Sequence, residues 1–167
     1  MSRSVKEKLE RAFPSLRNSY WKKTSNEDPS YNCIAYAGGD QSQRWDVVQA
    51  QYRPAPYWPP GVAKDMQPET LVKVFESLGY ELCENASHEE GFHKVALYSK
   101  DGKWTHAAKQ LPDKGWSSKL GDGEDIRHDS LTAVAGKHYG DVYRFMRRAL
   151  PAASPAKSKA AKQAKGS

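Results

Sequence analysis

Two residues in this chain have the types and local settings that nucleophilic catalysis requires, Cys33 and His106. A thiol attacks as its thiolate, and the first turn of a helix favours that form through unpaired amides and the helix dipole. Cys33 sits in Ser30-Tyr31-Asn32-Cys33-Ile34-Ala35-Tyr36-Ala37-Gly38-Gly39. Ser30 or Asn32 can cap a helix there, the next five residues suit one, and the paired glycines stop it. A thiol hydrolase also needs an imidazole within reach, to take the thiol proton and later protonate the leaving group. His106 lies in Thr105-His106-Ala107-Ala108, a predicted strand whose small residues leave the ring accessible. The chemistry expected of the pair is attack on an amide or ester carbonyl through an acyl-enzyme, ending in hydrolysis or acyl transfer. The competing reading makes Cys33 a small core residue and His106 a satisfied polar group.

A third group should accept the other imidazole N–H. If residues 112–115 form a tight turn, Gln110 faces Ser117, Ala108 faces Lys119 and His106 faces Gly121. Ser117 and Lys119 then share the face of His106. Ser117 can accept a hydrogen bond and is the candidate orienter; Lys119 cannot, and is expected to hold an anionic substrate group. Asp122, Asp125 and His128 in the following segment are alternatives. Asn32 beside the thiol and Trp58 in a proline-bounded segment are the other candidate substrate contacts, Trp58 as a cleft wall or as an apolar lid. His88 with Glu89 and Glu90, and Asp125 with His128, lack a third metal ligand on a defined element and read as solvated loops. No metal or other cofactor is expected. Cys83 reads as structural.

The elements that must position these residues follow from periodicity. Val5, Leu9, Ala12 and Phe13 mark a first helix, with Ser4 and Glu7 as a capping box and Pro14 as its end. Residues 22–29 read as loop. Residues 52–61 hold four prolines and three aromatics and read as an extended loop. Pro68, the stripe Leu71, Phe75 and Leu78, and the stop at Gly79 define another helix. Strands follow over residues 94–98, 104–111 and 116–120, joined by turns at Asp101-Gly102 and residues 112–115. Residues 121–130 read as loop, and residues 141–148 as an edge strand in preference to a short helix. The fold class is α+β, N-terminal helices packed on an antiparallel meander.

With these residues in place the chain resembles the papain-like cysteine hydrolases of the NlpC/P60 type. The resemblance runs over residues 30–121. It is carried by Asn32-Cys33-Ile34-Ala35-Tyr36-Ala37, then Lys94-Val95-Ala96-Leu97-Tyr98, a glycine-containing turn and Thr105-His106-Ala107. It implies a papain-like fold, with a helix-start cysteine paired to sheet histidines. In that family the first sheet histidine is the base and the second strand's histidine orients it. Here Lys94 falls at the base position and His93 one residue away, so His106 takes the role and His93 is the second candidate. More narrowly the chain resembles small uncharacterised bacterial proteins sharing T-H-A-A-x-Q-L (residues 105–111) and W-x-S-K-L-G (residues 116–121).

Composition bounds the rest. The chain has 167 residues, and its last seventeen contain no Leu, Ile, Val or aromatic residue. They read as a disordered basic tail over residues 151–167, behind one domain over residues 1–150. Of the net charge of +6, the four tail lysines carry +4, which leaves the body near +2. Two distant cysteines exclude a disulfide framework. No signal-peptide pattern or membrane-length apolar run is present, so a monomer in the cytoplasm is expected, without membrane contact. The expected partner is a peptide-like or small-molecule amide or ester substrate. Alternatives are a catalytically inactive binding domain of the same fold, and nucleic-acid contact through the tail with Arg144, Arg147 and Arg148.

Overall fold

The structure, a computed structural model, describes residues 1–47 and 55–151. Strand β1 spans Trp21–Ser25, β2 Glu81–Cys83, β3 Phe92–Lys100, β4 Lys103–Gln110, β5 Trp116–Lys119, β6 Asp125–His128 and β7 Asp141–Ala149. They form one seven-stranded sheet in the order β1-β6-β5-β4-β3-β7-β2, every neighbour antiparallel. Helix α1 covers Arg3–Ala12, α2 Cys33–Ala37 and α3 Pro68–Ser77, with 3-10 turns at Pro14–Asn18 and Leu131–Val134. The α+β class and the antiparallel meander β3-β4-β5-β6 are therefore present.

The sheet separates two cores because strand side chains alternate faces. Val95, Leu97 and Ala107 point to one side, where they pack with Ile34, Tyr36, Leu71 and Phe75 of α2 and α3. Ala96, Tyr98 and Ala108 point to the other, where Leu9, Phe13 and Leu16 of the N-terminal elements and Val134 cover them. Helix α3 follows its expected outline: Pro68 opens it and Gly79, at φ +93°, lies just beyond.

Several expectations are corrected. The cap of α1 is Ser2, whose hydroxyl accepts from the Val5 amide at 3.2 Å. Ser4 therefore lies within the helix, and Glu7 turns to Arg3 instead of closing a box. Pro14 does end the α-helix, but the chain continues as a 3-10 turn. Residues 22–29 are not all loop: Trp21 anchors β1, an edge strand on which Lys22 is exposed and Lys23, opposite Ile126, is half-buried, charged residues of the kind that shield an open edge. Residues 121–130 contain β6, where Ile126 is buried between polar neighbours. β7 is a strand, but it lies between β3 and β2 and not at the edge. Residues 55–61 carry no helix and only an isolated bridge at Tyr57; the rest of the proline-rich segment, and the tail beyond Pro151, lie outside the described residues. Among the described residues no helix is long and apolar enough to cross a membrane.

Candidate functional site

Asn32 explains why α2 begins at Cys33. Its Oδ1 accepts from the Ala35 amide at 3.3 Å and from the Trp45 amide at 3.1 Å, and its Nδ2 donates to the Trp45 carbonyl at 2.8 Å. The residue caps the helix and ties the following loop to it. Its amide is thereby committed to the backbone, which corrects the expectation of a substrate contact. Cys33 does occupy the first turn, but only 7% of its surface is exposed. Its Sγ–H points to the Thr105 carbonyl at 3.9 Å, where a bulge puts an extra residue into β4. Burial pushes the thiol up to about 12, although the amides of Ala107 and Ile34 pull the other way. The helix-start position therefore does not produce a thiolate near neutral pH.

His106 faces away from Cys33. It pairs with Tyr98, and Ala107, which faces α2, pairs with Leu97. The His106 ring lies at 4.0 Å from Tyr139, parallel to it within 4°, and meets Tyr98 edge-on at 5.2 Å. The thiol and the imidazole thus belong to opposite faces of the sheet, and no hydrogen bond joins them. The expected Cys33–His106 dyad is corrected on this ground.

The polar partner of His106 is Ser118, with Oγ 2.9 Å from Nε2. The same hydroxyl lies 2.8 Å from His128 Nε2, and His128 Nδ1 lies 2.8 Å from the Ser130 carbonyl. A carbonyl only accepts, so His128 carries its proton on Nδ1. Burial lowers His128 to about 4, so its ring is neutral and Nε2 accepts the Ser118 proton. The Ser118 oxygen then accepts from His106 Nε2–H, which leaves His106 Nδ1 as an unprotonated, buried nitrogen without a hydrogen-bond partner. Burial, and then His128, hold His106 well below the ordinary histidine range.

Ser117, the expected orienter, is on the α2 face, where its Oγ lies 2.7 Å from the Tyr36 hydroxyl. The reason is a register one residue away from the tight-turn expectation. Lys109 faces Ser117 and Gln110 faces Trp116, closed by a three-residue loop with Leu111 N–H donating to the Gly115 carbonyl at 2.7 Å. Lys114 takes the left-handed position at φ +77°. Gly115 serves a different need, since a Cβ there would lie 2.4 Å from the Arg127 guanidinium. A shift of one residue exchanges every side chain between faces.

The remaining candidates are also internal. Lys119 is buried, donates to the Gly123 carbonyl and holds its ammonium 4.6 Å from the Tyr31 ring centroid, so it has no free charge to offer a substrate. Trp58 stacks on Trp104 at 5.8 Å and donates to the Ala63 carbonyl, which makes it the apolar lid. His93 accepts or donates at Nδ1 with the Tyr80 hydroxyl, 2.7 Å away. Asp125 and His128 are buried on β6 and not in a solvated loop; Asp125 Oδ2 accepts from the Tyr31 hydroxyl at 2.7 Å. Among the described residues no group of three or more His, Cys, Asp or Glu could hold a metal ion. Arg144 and Arg147 meet Glu69, Glu81 and Glu89, and Arg148 donates to the Leu78 carbonyl, so these arginines do not form a free basic patch.

Reasoning from the sequence missed Ser118 and Tyr139 as the neighbours of His106, while His128, one of the alternatives for the third group, does reach it through the Ser118 hydroxyl. The alternation of Trp116, Ser118 and Leu120 contains the signal for Ser118, once the loop is given three residues.

These features define an α+β domain on a single antiparallel sheet, with a polar hydrogen-bonded chain buried on one face and a capped cysteine helix on the other. Residues 22–147 match the family described as Domain of unknown function (DUF7689), and the chain belongs to that family. No curated protein and no solved structure matches the chain significantly.

Proposed function

We propose that this domain is a non-catalytic binding module of papain-like, NlpC/P60-like architecture. A short capped helix with a cysteine in its first turn, packed across the strands of an antiparallel meander, supports the architecture. The observation that carries the functional half is the division of Cys33 and His106 between the two faces. General-base catalysis needs the imidazole within hydrogen-bond reach of the thiol or one water away. In place of that contact, His106 is engaged by Ser118 and Tyr139. Both cysteines are unpaired, which suits a reducing compartment such as the cytoplasm.

One observation favours the thiol hydrolase or acyltransferase as a second reading: the thiol is in the first turn of a capped helix, with amides directed toward it. The readings separate in a screen of small amides, esters and carboxylates against the wild-type protein and Cys33→Ala. The binding reading expects ligands that raise the thermal midpoint of both proteins equally and emerge unchanged. Product release by wild type that Cys33→Ala abolishes would overturn it.

A further inference from the structure

Lys94 and Arg147 are direct cross-strand partners on β3 and β7. Two like charges in that relation repel and destabilise a sheet. Lys94 is also 1% exposed, and a buried ammonium must be paired to be tolerated. Buried ion pairs of this kind are often no more stabilising than apolar residues of similar volume. The fold thus holds two adjacent cations at a site where packing alone would favour Met or Leu.

Glu89 answers both charges, using one oxygen for each. Its Oε1 lies 3.1 Å from Lys94 Nζ, and its Oε2 accepts from Arg147 Nη1. The Asn85 carbonyl and side-chain oxygen complete the ammonium's partners at 3.0 and 3.3 Å. Arg147 is further set by Glu81 at 2.9 Å and by the Phe92 ring, 4.2 Å beneath the guanidinium. Glu89 itself belongs to the segment between β2 and β3, which has no regular structure around it, and its side chain is 37% exposed. A cavity of about 360 Å³ adjoins the three charged groups and is walled by Leu82, Cys83, Glu84 and Asn85, so that one further carboxylate stands on its rim beside the two cations.

From this geometry we infer that the Lys94–Arg147 cradle is a binding site for a small carboxylate, and that Glu89 is its internal occupant, displaced when the ligand enters. The two oxygens of Glu89 show the shape the cradle accepts: a planar carboxylate bridging a point charge and a guanidinium fork. The cavity volume is at the lower end of the range for small-molecule sites. Displaced Glu89 moves toward solvent on its own segment, while Arg147 keeps Glu81. This deepens the binding reading and rests on it for its biological sense, but it uses none of the residues around Cys33.

The test is calorimetric titration of the full chain with glutarate and, separately, with inorganic phosphate. Glu89→Gln empties the cradle of its competing charge and should bind glutarate at least ten times more tightly than wild type, and more tightly than phosphate. Adding Arg147→Gln to Glu89→Gln should return affinity to the wild-type level or below. Lys94→Met in the same background should do likewise, and serves if the Arg147 variant does not fold. Equal affinity of Glu89→Gln and wild type overturns the site, as does tight binding that survives loss of Arg147 or Lys94. Preference for phosphate overturns the carboxylate assignment. Thiol-dependent turnover would sink the proposed function and leave these titrations unchanged, so the two failures are distinguishable.

Discussion

Lys109 faces Ser117 across β4 and β5, and this pairing decides which side of the sheet each β5 residue serves. It sends Ser117 and Lys119 toward α2, and Ser118 toward His106. Neighbouring serines are thereby given unlike roles, and their replacement should have unlike costs.

Ser118→Ala removes the only hydroxyl between two buried imidazoles. His106 Nε2–H and His128 Nε2 both lose their partner in a dry interior, at roughly 1–3 kcal/mol for each unsatisfied group. Ser117→Ala frees only the Tyr36 hydroxyl and should cost about 1 kcal/mol. Urea unfolding of the two variants measures the difference. A Ser117→Ala cost equal to or above that of Ser118→Ala would contradict the observed register.

The buried histidines also set a pH dependence. Burial lowers His128 from its ordinary 6.5 to about 4, and burial, with His128 beside it, holds His106 well below the ordinary histidine range. In the unfolded chain both take up a proton near pH 6.5, while the folded protein keeps them neutral. Stability is therefore fully present above that pH and declines as pH falls from about 6.5 toward 4. The contribution of His128 alone is on the order of 3 kcal/mol. Denaturation midpoints at pH 7, 5.5 and 4.5 should fall in that order. His128→Gln, which removes the titrating ring, should flatten the profile.

Lys114 pays a steric penalty at φ +77° that glycine avoids. Lys114→Gly should stabilise the domain by about 1 kcal/mol, less the added entropy of the unfolded chain. Thermal unfolding checks it. A lower midpoint would show that the left-handed residue is not where the loop places it.

The hairpin explains how much of this site was legible in the sequence. Pro112, Asp113 and Gly115 announce a turn, and reading residues 112–115 as a tight turn leaves two central residues, Asp113 and Lys114, with Gly115 opposite Pro112. The loop instead holds three residues, with Lys114 at positive φ and Gly115 opposite Leu111, where the Arg127 guanidinium fills the space beside Gly115, a long-range fact that local turn chemistry does not encode. The helices α2 and α3 and the strands β3 to β5 were legible because capping residues and apolar periodicity act locally. The edge strand β1 and the polar strand β6 were not: their sequences look like loops, and they become strands through pairing with each other and with β5. The face of His106 depended on the bulge at Thr105 and on register. Neither is a property of the residues Thr105-His106-Ala107 taken alone.

The central claim is that Cys33 and His106 do not act together. The rate of iodoacetamide alkylation at each cysteine, resolved by peptide mass spectrometry between pH 5 and 9, tests it most directly. Cys33 should react more slowly than half-exposed Cys83 throughout, with no inflection near neutral pH, and His106→Ala should not slow it further. A Cys33 rate that exceeds that of Cys83, rises through an inflection below pH 7 and falls on His106→Ala would contradict the account.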